Sequence, residues 1–137
     1  METWLIPCNP DVYDAEGAFD EYGSIVWHQD CNIHAGDYVY IYFTAPEKEI
    51  RCKCIAEDVD IPIDIGEDSG YTLDEEFCSK SYRKYMRLRV LALYKCPLLG
   101  FQSLLLNGLR GTVRSQRRLP ECLSSYIDQI EPLKAYT

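Results

Sequence analysis

The sequence predicts a small α+β domain built around a β-hairpin, and three observations carry this prediction. Over residues 38–43, tyrosines alternate with Val39, Ile41 and Phe43, which is the period of a strand. After a polar break, one face of a second strand collects small or apolar side chains: Ile50, Cys52, Cys54 and Ala56. The break itself, residues 45–49, predicts a proline-containing loop of about five residues. We expect the hairpin to bury one apolar face at the centre of a small β-barrel.

Three short elements precede the hairpin. Residues 3–7 are apolar and end at an Asn-Pro corner, which predicts a strand followed by a turn. Residues 11–22 carry apolar side chains at helical spacing, and Gly23 then ends the predicted helix. Residues 24–27 predict another brief strand, which places Trp27 beside a polar loop.

Several further segments follow the hairpin. Residues 64–81 are acidic and rich in turn formers, so we expect a mobile insertion there. Residues 82–94 alternate again and predict a long strand. A short helix, a glycine- and arginine-rich loop and an amphipathic helix are then predicted at residues 100–106, 111–118 and 122–130. We therefore expect a single domain over residues 1–137, with about five to six strands and short flanking helices.

The chain of 137 residues is long enough for one hydrophobic core, and 47% of its residues are hydrophobic. It contains no run of about 18 apolar residues, which a membrane-spanning helix would need. The first residues lack the basic start and apolar stretch of a secretion signal. We therefore expect a soluble, cytoplasmic protein that has no membrane partner.

The seven cysteines and two histidines lack the spacing of metal or disulfide sites. Cys52 and Cys54 share one strand face, which favours packing as small hydrophobic side chains. A pair of nucleophile and base formed by Cys8 and His28 is conceivable, but the sequence supplies no evident third group to orient it. No phosphate-loop or dinucleotide motif occurs either. We expect no metal, no cofactor and no catalysis.

Charge is distributed very unevenly along the chain. The net charge is −8, yet residues 80–118 contain ten basic side chains and no acidic one. An acidic protein with one basic face can bind phosphates in a defined orientation. The alternative is that the basic residues at 80–95 only line a solvated strand face. The arginines at 110–118 favour phosphate binding more strongly.

The order of short motifs resembles a known family. These motifs are WLIPCNP, GSIVW, GDYVYIYFTAP, IRCKCIAEDV and LLLNGLRGTVRSQRRL, and they span nearly the whole chain. They are similar to EVE domains, members of the PUA-like superfamily related to YTH domains. The version with PCNP resembles the EVE domains found beside HNH nucleases in modification-dependent restriction systems. The resemblance implies a PUA-like small β-barrel that accepts a flipped, modified base, such as methylcytosine, hydroxymethylcytosine or methylated adenine.

The resemblance also implies roles for individual residues. Cys8 and Asn9 would contact the base edge, and Trp27 would form one wall of an aromatic cage. Stacking on one aromatic ring is worth about 1–3 kcal/mol per base, and an amide offers donors and an acceptor to the base edge. Candidates for the second cage wall are Tyr42, Phe43, Tyr82 and Tyr85. The arginines implied to bind phosphates are Arg110, Arg114, Arg117 and Arg118.

Other interpretations stay open. Trp27 at a strand end is also compatible with a core position, and Asn9 before Pro10 is a typical turn or helix-capping residue. The favoured hypothesis is a non-catalytic protein that binds a modified base in DNA and has an HNH-type nuclease as a partner. The alternatives are an RNA-binding protein of PUA or YTH type and a protein-interaction domain that uses the acidic residues at 57–76.

Overall fold

A computed structural model describes residues 2–61 and 84–136 of the chain. The predicted insertion at 64–81 and the cage candidate Tyr82 lie outside the described residues. The strands are β1 Thr3–Cys8, β2 Ser24–His28, β3 Tyr38–Phe43, β4 Glu49–Ile61, β5 Tyr85–Leu93, β6 Arg117–Arg118 and β7 Lys134–Ala135. The α-helices are α1 Ala15–Tyr22, α2 Phe101–Leu106 and α3 Glu121–Asp128, and a short 3₁₀ turn, Pro97–Leu99, precedes α2.

The described strands form one seven-stranded sheet in the order β2-β5-β4-β3-β1-β6, with β7 paired to β5. β1 runs parallel to β3, whereas the other pairs are antiparallel. The predicted α+β class with a small barrel-like sheet is confirmed. The predicted number of strands, five to six, is slightly below the seven observed. The strands β6 and β7 are only two residues long, so they are too short to show an alternating pattern in the sequence.

α1 begins and ends at the residues that its sequence favours. Asp14 caps it by accepting a hydrogen bond from the backbone N–H of Gly17 at 3.0 Å. Gly23 ends it in the left-handed conformation at φ 74°, and its N–H donates to the carbonyl of Phe19. The helix starts later than the predicted residue 11, because residues 9–13 form a turn in which the carbonyl of Asn9 accepts from Val12.

The central sheet separates two hydrophobic cores. α1 and one face of the sheet enclose the first, which includes Trp27, Met86 and Phe19. The C-terminal segment covers the other face through the buried residues Leu99, Leu104, Leu109, Val113, Leu119, Leu123 and Ile127. The hairpin therefore buries both faces and not the single face predicted, because Tyr40 and Tyr42 pack into the second core.

A β-bulge between β3 and β4 decides which core Ile50 enters. Ile41 is opposite Cys52, but the next residue, Tyr42, is opposite Ile50, so Arg51 is an extra residue in β4. The prediction that Ile50 shares a face with Cys52 is wrong, because the bulge turns Ile50 toward Tyr42 in the second core. The predicted packing of Cys52 and Cys54 as small apolar side chains in the core is confirmed, and both are fully buried.

Two side-chain contacts attach α3 to the sheet. The Tyr40 hydroxyl donates to Asp128 Oδ1 at 3.1 Å, and Lys53 Nζ lies 3.7 Å from the same oxygen. Burial raises the pKa of Tyr40, and the nearby Asp128 carboxylate raises it further, so the phenol stays a donor at neutral pH.

No helix in the described ranges is long and apolar enough to cross a membrane.

A buried amide links the two ends of the sheet order. β2 ends at His28 and β6 begins at Arg117, and Gln116 immediately precedes β6. Gln116 Nε2 donates to the His28 carbonyl at 2.7 Å, while its Oε1 accepts from the backbone N–H of Asp30 at 2.8 Å. This side chain thus connects the ends of β2 and β6, the first and last strands of the order described above.

Candidate functional site

The parallel strands β1 and β3 end at the same edge of the sheet and place Pro7 opposite Tyr42. The hairpin loop, α2 and the arginine-rich loop meet beyond that edge and enclose a cavity of about 420 Å³. We call it the Tyr42 cavity. It is lined by Pro7, Tyr42, Thr44, Ala45, Lys48, Phe101, Thr112, Val113 and Arg114.

Backbone hydrogen bonds hold the walls of the Tyr42 cavity together. Phe101 donates its N–H to the carbonyl of Lys48 at 2.8 Å, which joins α2 to the hairpin loop. Thr44 donates to the carbonyl of Cys8 at 3.0 Å, which joins the loop to the end of β1. Lys48 adopts a left-handed backbone at φ 50°, which is uncommon for a residue other than glycine. Such conformations persist where the surroundings enforce them.

The lining combines two aromatic rings, two threonine hydroxyls and two cations, and none of the lining residues is acidic. Tyr42 is buried, and burial raises the pKa of its phenol, so the hydroxyl remains protonated at neutral pH. Phe101 is half-buried, whereas Lys48 and Arg114 are exposed at the rim. This arrangement can stack a planar ring, donate hydrogen bonds to its edge and attract an anion.

The two ends of the arginine-rich loop line a second, smaller cleft of about 180 Å³, which we call the arginine cleft. Its lining residues are Leu5, Leu109, Arg110, Arg117, Arg118 and Pro120. Arg117 Nη1 donates to the carbonyl of Arg110 at 2.8 Å. Its other terminal nitrogen, Nη2, is buried and has no hydrogen-bond partner in the described part of the chain. That nitrogen is shielded from solvent, whereas the Arg117 side chain as a whole is half-buried and Arg110 and Arg118 are exposed.

The middle of the same loop faces the Tyr42 cavity through Thr112, Val113 and Arg114. Of the four arginines predicted to bind phosphates, Arg114 therefore lines one depression and Arg110, Arg117 and Arg118 line the other. Arg118 also lies over the Trp4 ring, with 5.5 Å between the guanidinium carbon and the ring centroid.

The remaining predicted base-contacting residues do not line either depression. Trp27 is 4% exposed in the first core, where its ring packs edge-on against Tyr13 with the centroids 4.9 Å apart. Phe43 lies in the same core, on the opposite face of β3 from Tyr42. Tyr85 is buried at the start of β5. Among the predicted cage aromatics that the structure describes, only Tyr42 lines the Tyr42 cavity.

Cys8 is the last residue of β1, and Asn9 begins the turn that follows. Cys8 is buried, and burial together with the nearby carboxylates of Asp14 and Glu16 raises the pKa of its thiol to about 12. Asn9 is exposed, and its Oδ1 accepts from the backbone N–H of Asp11 at 2.9 Å. This is the turn-forming role expected of asparagine before proline, and contact of either residue with a base stays a prediction.

Sequence reasoning missed most of the lining of the Tyr42 cavity. Lys48 sits in a loop and Phe101 at the start of a short helix, so neither belongs to an alternating or helical pattern that would mark a site. The one usable signal was their position near Pro46 and Gly100, residues that typically end or begin secondary-structure elements. No group of three or more His, Cys, Asp or Glu side chains within residues 2–61 and 84–136 is placed to hold a metal ion.

No protein-family model and no curated protein matches the sequence. Solved structures do match. The ASCH protein of Zymomonas mobilis superposes with a TM-score of 0.65 at 11% identity, over 94% of this chain and 95% of that one. A Pseudomonas syringae protein gives a TM-score of 0.65 at 15% identity, over 93% and 97% of the two chains. A Leishmania major protein described as hypothetical gives 0.63 at 14% identity, over 94% and 93%.

The fold is PUA-like, of the ASCH type. These matches cover nearly the full length of both chains. At such low identity the likeness establishes the fold alone, and the narrower resemblance to EVE domains stays a prediction. The small barrel-like α+β fold implied by the sequence motifs is confirmed as a fold.

Proposed function

We propose that this protein binds nucleic acid without performing chemistry on it, and that an unstacked base enters the Tyr42 cavity. One observation carries the proposal: a single cavity on a protein of net charge −8 collects two aromatic rings and two cations, with no acidic side chain in its lining. Aromatic platforms combined with positive charge are the common means of binding unpaired bases and their phosphates.

The size and lining of the Tyr42 cavity suit one base. Its volume of about 420 Å³ lies in the usual range of small-ligand sites. Tyr42 and Phe101 supply aromatic surface, and stacking on an aromatic ring is worth about 1–3 kcal/mol per base. The hydroxyls of Thr44 and Thr112 can donate to or accept from a base edge.

The arginine-rich loop would contact the backbone of the nucleic acid on both sides of the bound base. Arg114 lies at the rim of the base cavity, while the exposed Arg110 and Arg118 line the arginine cleft. A phosphate oxygen in that cleft would accept charge-assisted hydrogen bonds from their guanidinium groups. In the proposal, a strand crosses the loop with its base on the Tyr42 side and a neighbouring phosphate in the arginine cleft.

The finer proposal concerns the base. The motif resemblance favours methylcytosine, hydroxymethylcytosine or methylated adenine in DNA, and an HNH-type nuclease as a partner. A methyl group against the apolar wall of Pro7 and Val113 would gain about 0.8 kcal/mol from burial. Such a gain gives roughly four-fold selectivity, since about 1.4 kcal/mol corresponds to a factor of ten. Stronger selectivity would require a polar group that excludes the unmodified base.

The experiment is a binding panel measured by fluorescence anisotropy of labelled oligonucleotides at one fixed salt concentration. The panel contains matched single strands and duplexes of DNA and RNA that differ only in one unmodified, methylated or hydroxymethylated base. Labelled oligonucleotides are preferable to tryptophan emission because Trp27 is buried away from the Tyr42 cavity.

Tighter binding to one modified DNA would support the finer proposal and identify the base. Equal binding to modified and unmodified strands would support nucleic-acid binding but reject modified-base recognition, and preference for RNA would select the RNA-binding alternative. Absence of binding to every oligonucleotide would refute the proposed function. The protein-interaction alternative depends on residues 57–76, which lie largely outside the described residues, and it stays a prediction.

A further inference from the structure

A polar cleft lies at the opposite end of β1 and β3 from the Tyr42 cavity. The two strands pair Thr3 with Tyr38 at one end and Pro7 with Tyr42 at the other, about 13 Å away along the strands. The cleft has a volume of about 350 Å³, within the usual range of small-ligand sites. We call it the Lys53 cleft. Each lining side chain carries a polar group, and the lining residues are Thr3, Tyr38, Tyr40, Lys53, Ser124 and Asp128.

The Lys53 cleft is built where β1, β3, β4 and α3 meet. Lys53 on β4 lies directly opposite Tyr40 on β3. Ser124 and Asp128 are one turn apart on α3, so their side chains share a face of that helix. The hydrogen bond from the Tyr40 hydroxyl to Asp128 Oδ1, at 3.1 Å, attaches this face to the sheet. The polar groups of the cleft are therefore positioned by regular elements of the fold.

The ammonium group of Lys53 is held in place but lacks a hydrogen-bond acceptor. Its Nζ lies 4.8 Å from the ring centroid of Tyr38 and 5.7 Å from that of Tyr40, and only 24% of the side chain is exposed. The distance from Nζ to Asp128 Oδ1 is 3.7 Å, which is too long for a hydrogen bond. No other acceptor among the residues that the structure describes is within range. The three N–H donors of this ammonium are available to a ligand.

Asp128 offers the opposite charge beside Lys53. It is the last residue of α3, where the helix dipole favours a cation, and the last turn contains no basic residue. Glu121, one turn before Ser124 on the same helix, adds a further exposed carboxylate. Asp128 Oδ1 accepts from Tyr40, whereas Oδ2 takes part in no hydrogen bond or ion pair within the described part of the chain. This oxygen is suited to an ammonium group of a ligand.

The charges of the Lys53 cleft select the class of ligand. Lys53 and Asp128 are the two charged residues of its lining, and their charges cancel. Glu2, which precedes Thr3, is paired with Arg118 at 3.7 Å. An anion such as phosphate would be repelled by the Asp128 carboxylate, and a simple cation would be repelled by the Lys53 ammonium. A ligand that carries both charges close together can form two ion pairs, one with each residue.

We propose that the Lys53 cleft binds a free α-amino acid. The ligand carboxylate accepts hydrogen bonds from the Lys53 ammonium and the Ser124 hydroxyl, and the ligand ammonium donates to Asp128 Oδ2. The hydroxyls of Thr3 and Tyr38 make no hydrogen bond among the described residues, so they are free to contact the side chain of the ligand. Binding at this cleft does not depend on the proposed function, because the cleft and the Tyr42 cavity share no lining residue.

The test begins with thermal unfolding of the unsubstituted protein in the presence of each common L-amino acid. A ligand that binds only the folded state raises Tm as its concentration increases, and the amino acids that do so are then titrated by calorimetry. The N-acetyl form and the methyl ester of each such amino acid remove one charge of the ligand at a time. We expect both derivatives to bind at least roughly ten-fold more weakly, since each loses hydrogen bonds to a charged group.

Two variants remove the matching charges of the protein. Lys53→Met keeps the apolar stem of the side chain, and Asp128→Asn keeps an acceptor for the Tyr40 hydroxyl. Both should weaken amino-acid binding by at least roughly ten-fold. Lys134→Met is the control, because Lys134 Nζ also lies over a tyrosine ring, 4.7 Å from the centroid of Tyr136, but outside the cleft. It should bind as the unsubstituted protein does.

Several outcomes would overturn the amino-acid site. The absence of a Tm shift with every amino acid rejects it, and so does equal binding of the two derivatives, a result that requires no variant to fold. Unchanged binding in both Lys53→Met and Asp128→Asn would place the ligand elsewhere. A Lys53-dependent shift with inorganic phosphate or glucose alone would assign the cleft to an anion or a sugar. Weaker oligonucleotide binding by Lys53→Met would assign it to nucleic acid, whereas failure of the amino-acid site alone leaves the proposed function standing.

Discussion

The backbone N–H of Phe101 donates to the carbonyl of Lys48 over 2.8 Å, so an aromatic wall and a cationic wall of the Tyr42 cavity are joined directly. The bond connects α2 with the loop between β3 and β4, two segments about 50 residues apart. Because it involves only backbone atoms, either side chain can be changed while the connection remains. The two walls can therefore be tested separately.

Replacing Phe101 by alanine should weaken binding of single-stranded oligonucleotides by roughly 5- to 150-fold, the equivalent of one lost stacking interaction. Phe101→Leu is the matched variant, since it keeps apolar volume and removes the ring. If stacking is responsible, Phe101→Leu should resemble Phe101→Ala in an anisotropy titration. Full affinity in Phe101→Leu would show that the ring only fills space.

Replacing Arg114 by glutamine should weaken binding to all sequences alike. One lost phosphate contact should also reduce the slope of log affinity against log salt by about 0.7 on single strands and 0.9 on duplexes. Arg89→Gln carries the same charge change on β5, where Arg89 pairs with Glu57 at 3.4 Å. Titrations at several salt concentrations should give Arg89→Gln the unsubstituted slope. Identical slopes for both variants would remove Arg114 from the binding surface.

Trp27 offers a test between a core and a cage role. The Trp27 side chain is buried and packs on Tyr13. Trp27→Ala should therefore lower the free energy of unfolding by about 3–5 kcal/mol. Trp27→Phe retains an aromatic core and should preserve oligonucleotide affinity within the error of anisotropy. Urea unfolding measures the first effect. If Trp27→Phe is stable but has lost its preference for a modified base, Trp27 contacts the base and is not only a core residue.

The Asp37 carboxylate should make stability fall at acidic pH. Burial alone would raise its pKa, but hydrogen bonds from the backbone N–H groups of His34 and Glu2 and from the Trp4 indole lower it below its ordinary value. The unfolded value is about 3.9, so the folded state binds this proton less readily. The stabilisation is complete above about pH 5 and is lost as the pH falls through the unfolded and then the folded pKa.

Asp37→Asn retains one acceptor oxygen for three donors, and we expect it to cost about 1–3 kcal/mol at neutral pH. Its unfolding free energy should also depend less on pH at the acidic end. Asp20→Asn, at an exposed position on α1, serves as the control. Parallel pH profiles for Asp37→Asn and the unsubstituted protein would contradict the assigned role of this carboxylate.

More of the fold than of the candidate site could be predicted from the sequence. Alternation at 38–43 and the stop at Gly23 follow from local geometry, so the hairpin strands and the C-terminal end of α1 were predicted close to their actual bounds, whereas the start of α1 was predicted four residues too early. The face of Ile50 depended on a bulge that no local pattern marks. The Tyr42 cavity depends on contacts between segments far apart in the chain, and Lys48 and Phe101 meet only after folding. Arg114 and Tyr42 were named in advance because charge and a resemblance pointed to them.

β3 has consequences for how the chain tolerates substitution. Its residues from Val39 to Phe43 are all buried, and they alternate between two cores. A half-exposed strand accepts polar residues at every second position, but this one offers no such position. A saturation-mutagenesis profile should therefore show an unbroken block of intolerance from Val39 to Phe43, whereas the neighbouring β4 should show a periodic profile. Engineering of the Tyr42 cavity is better directed at the loops that surround it than at the strand beneath it.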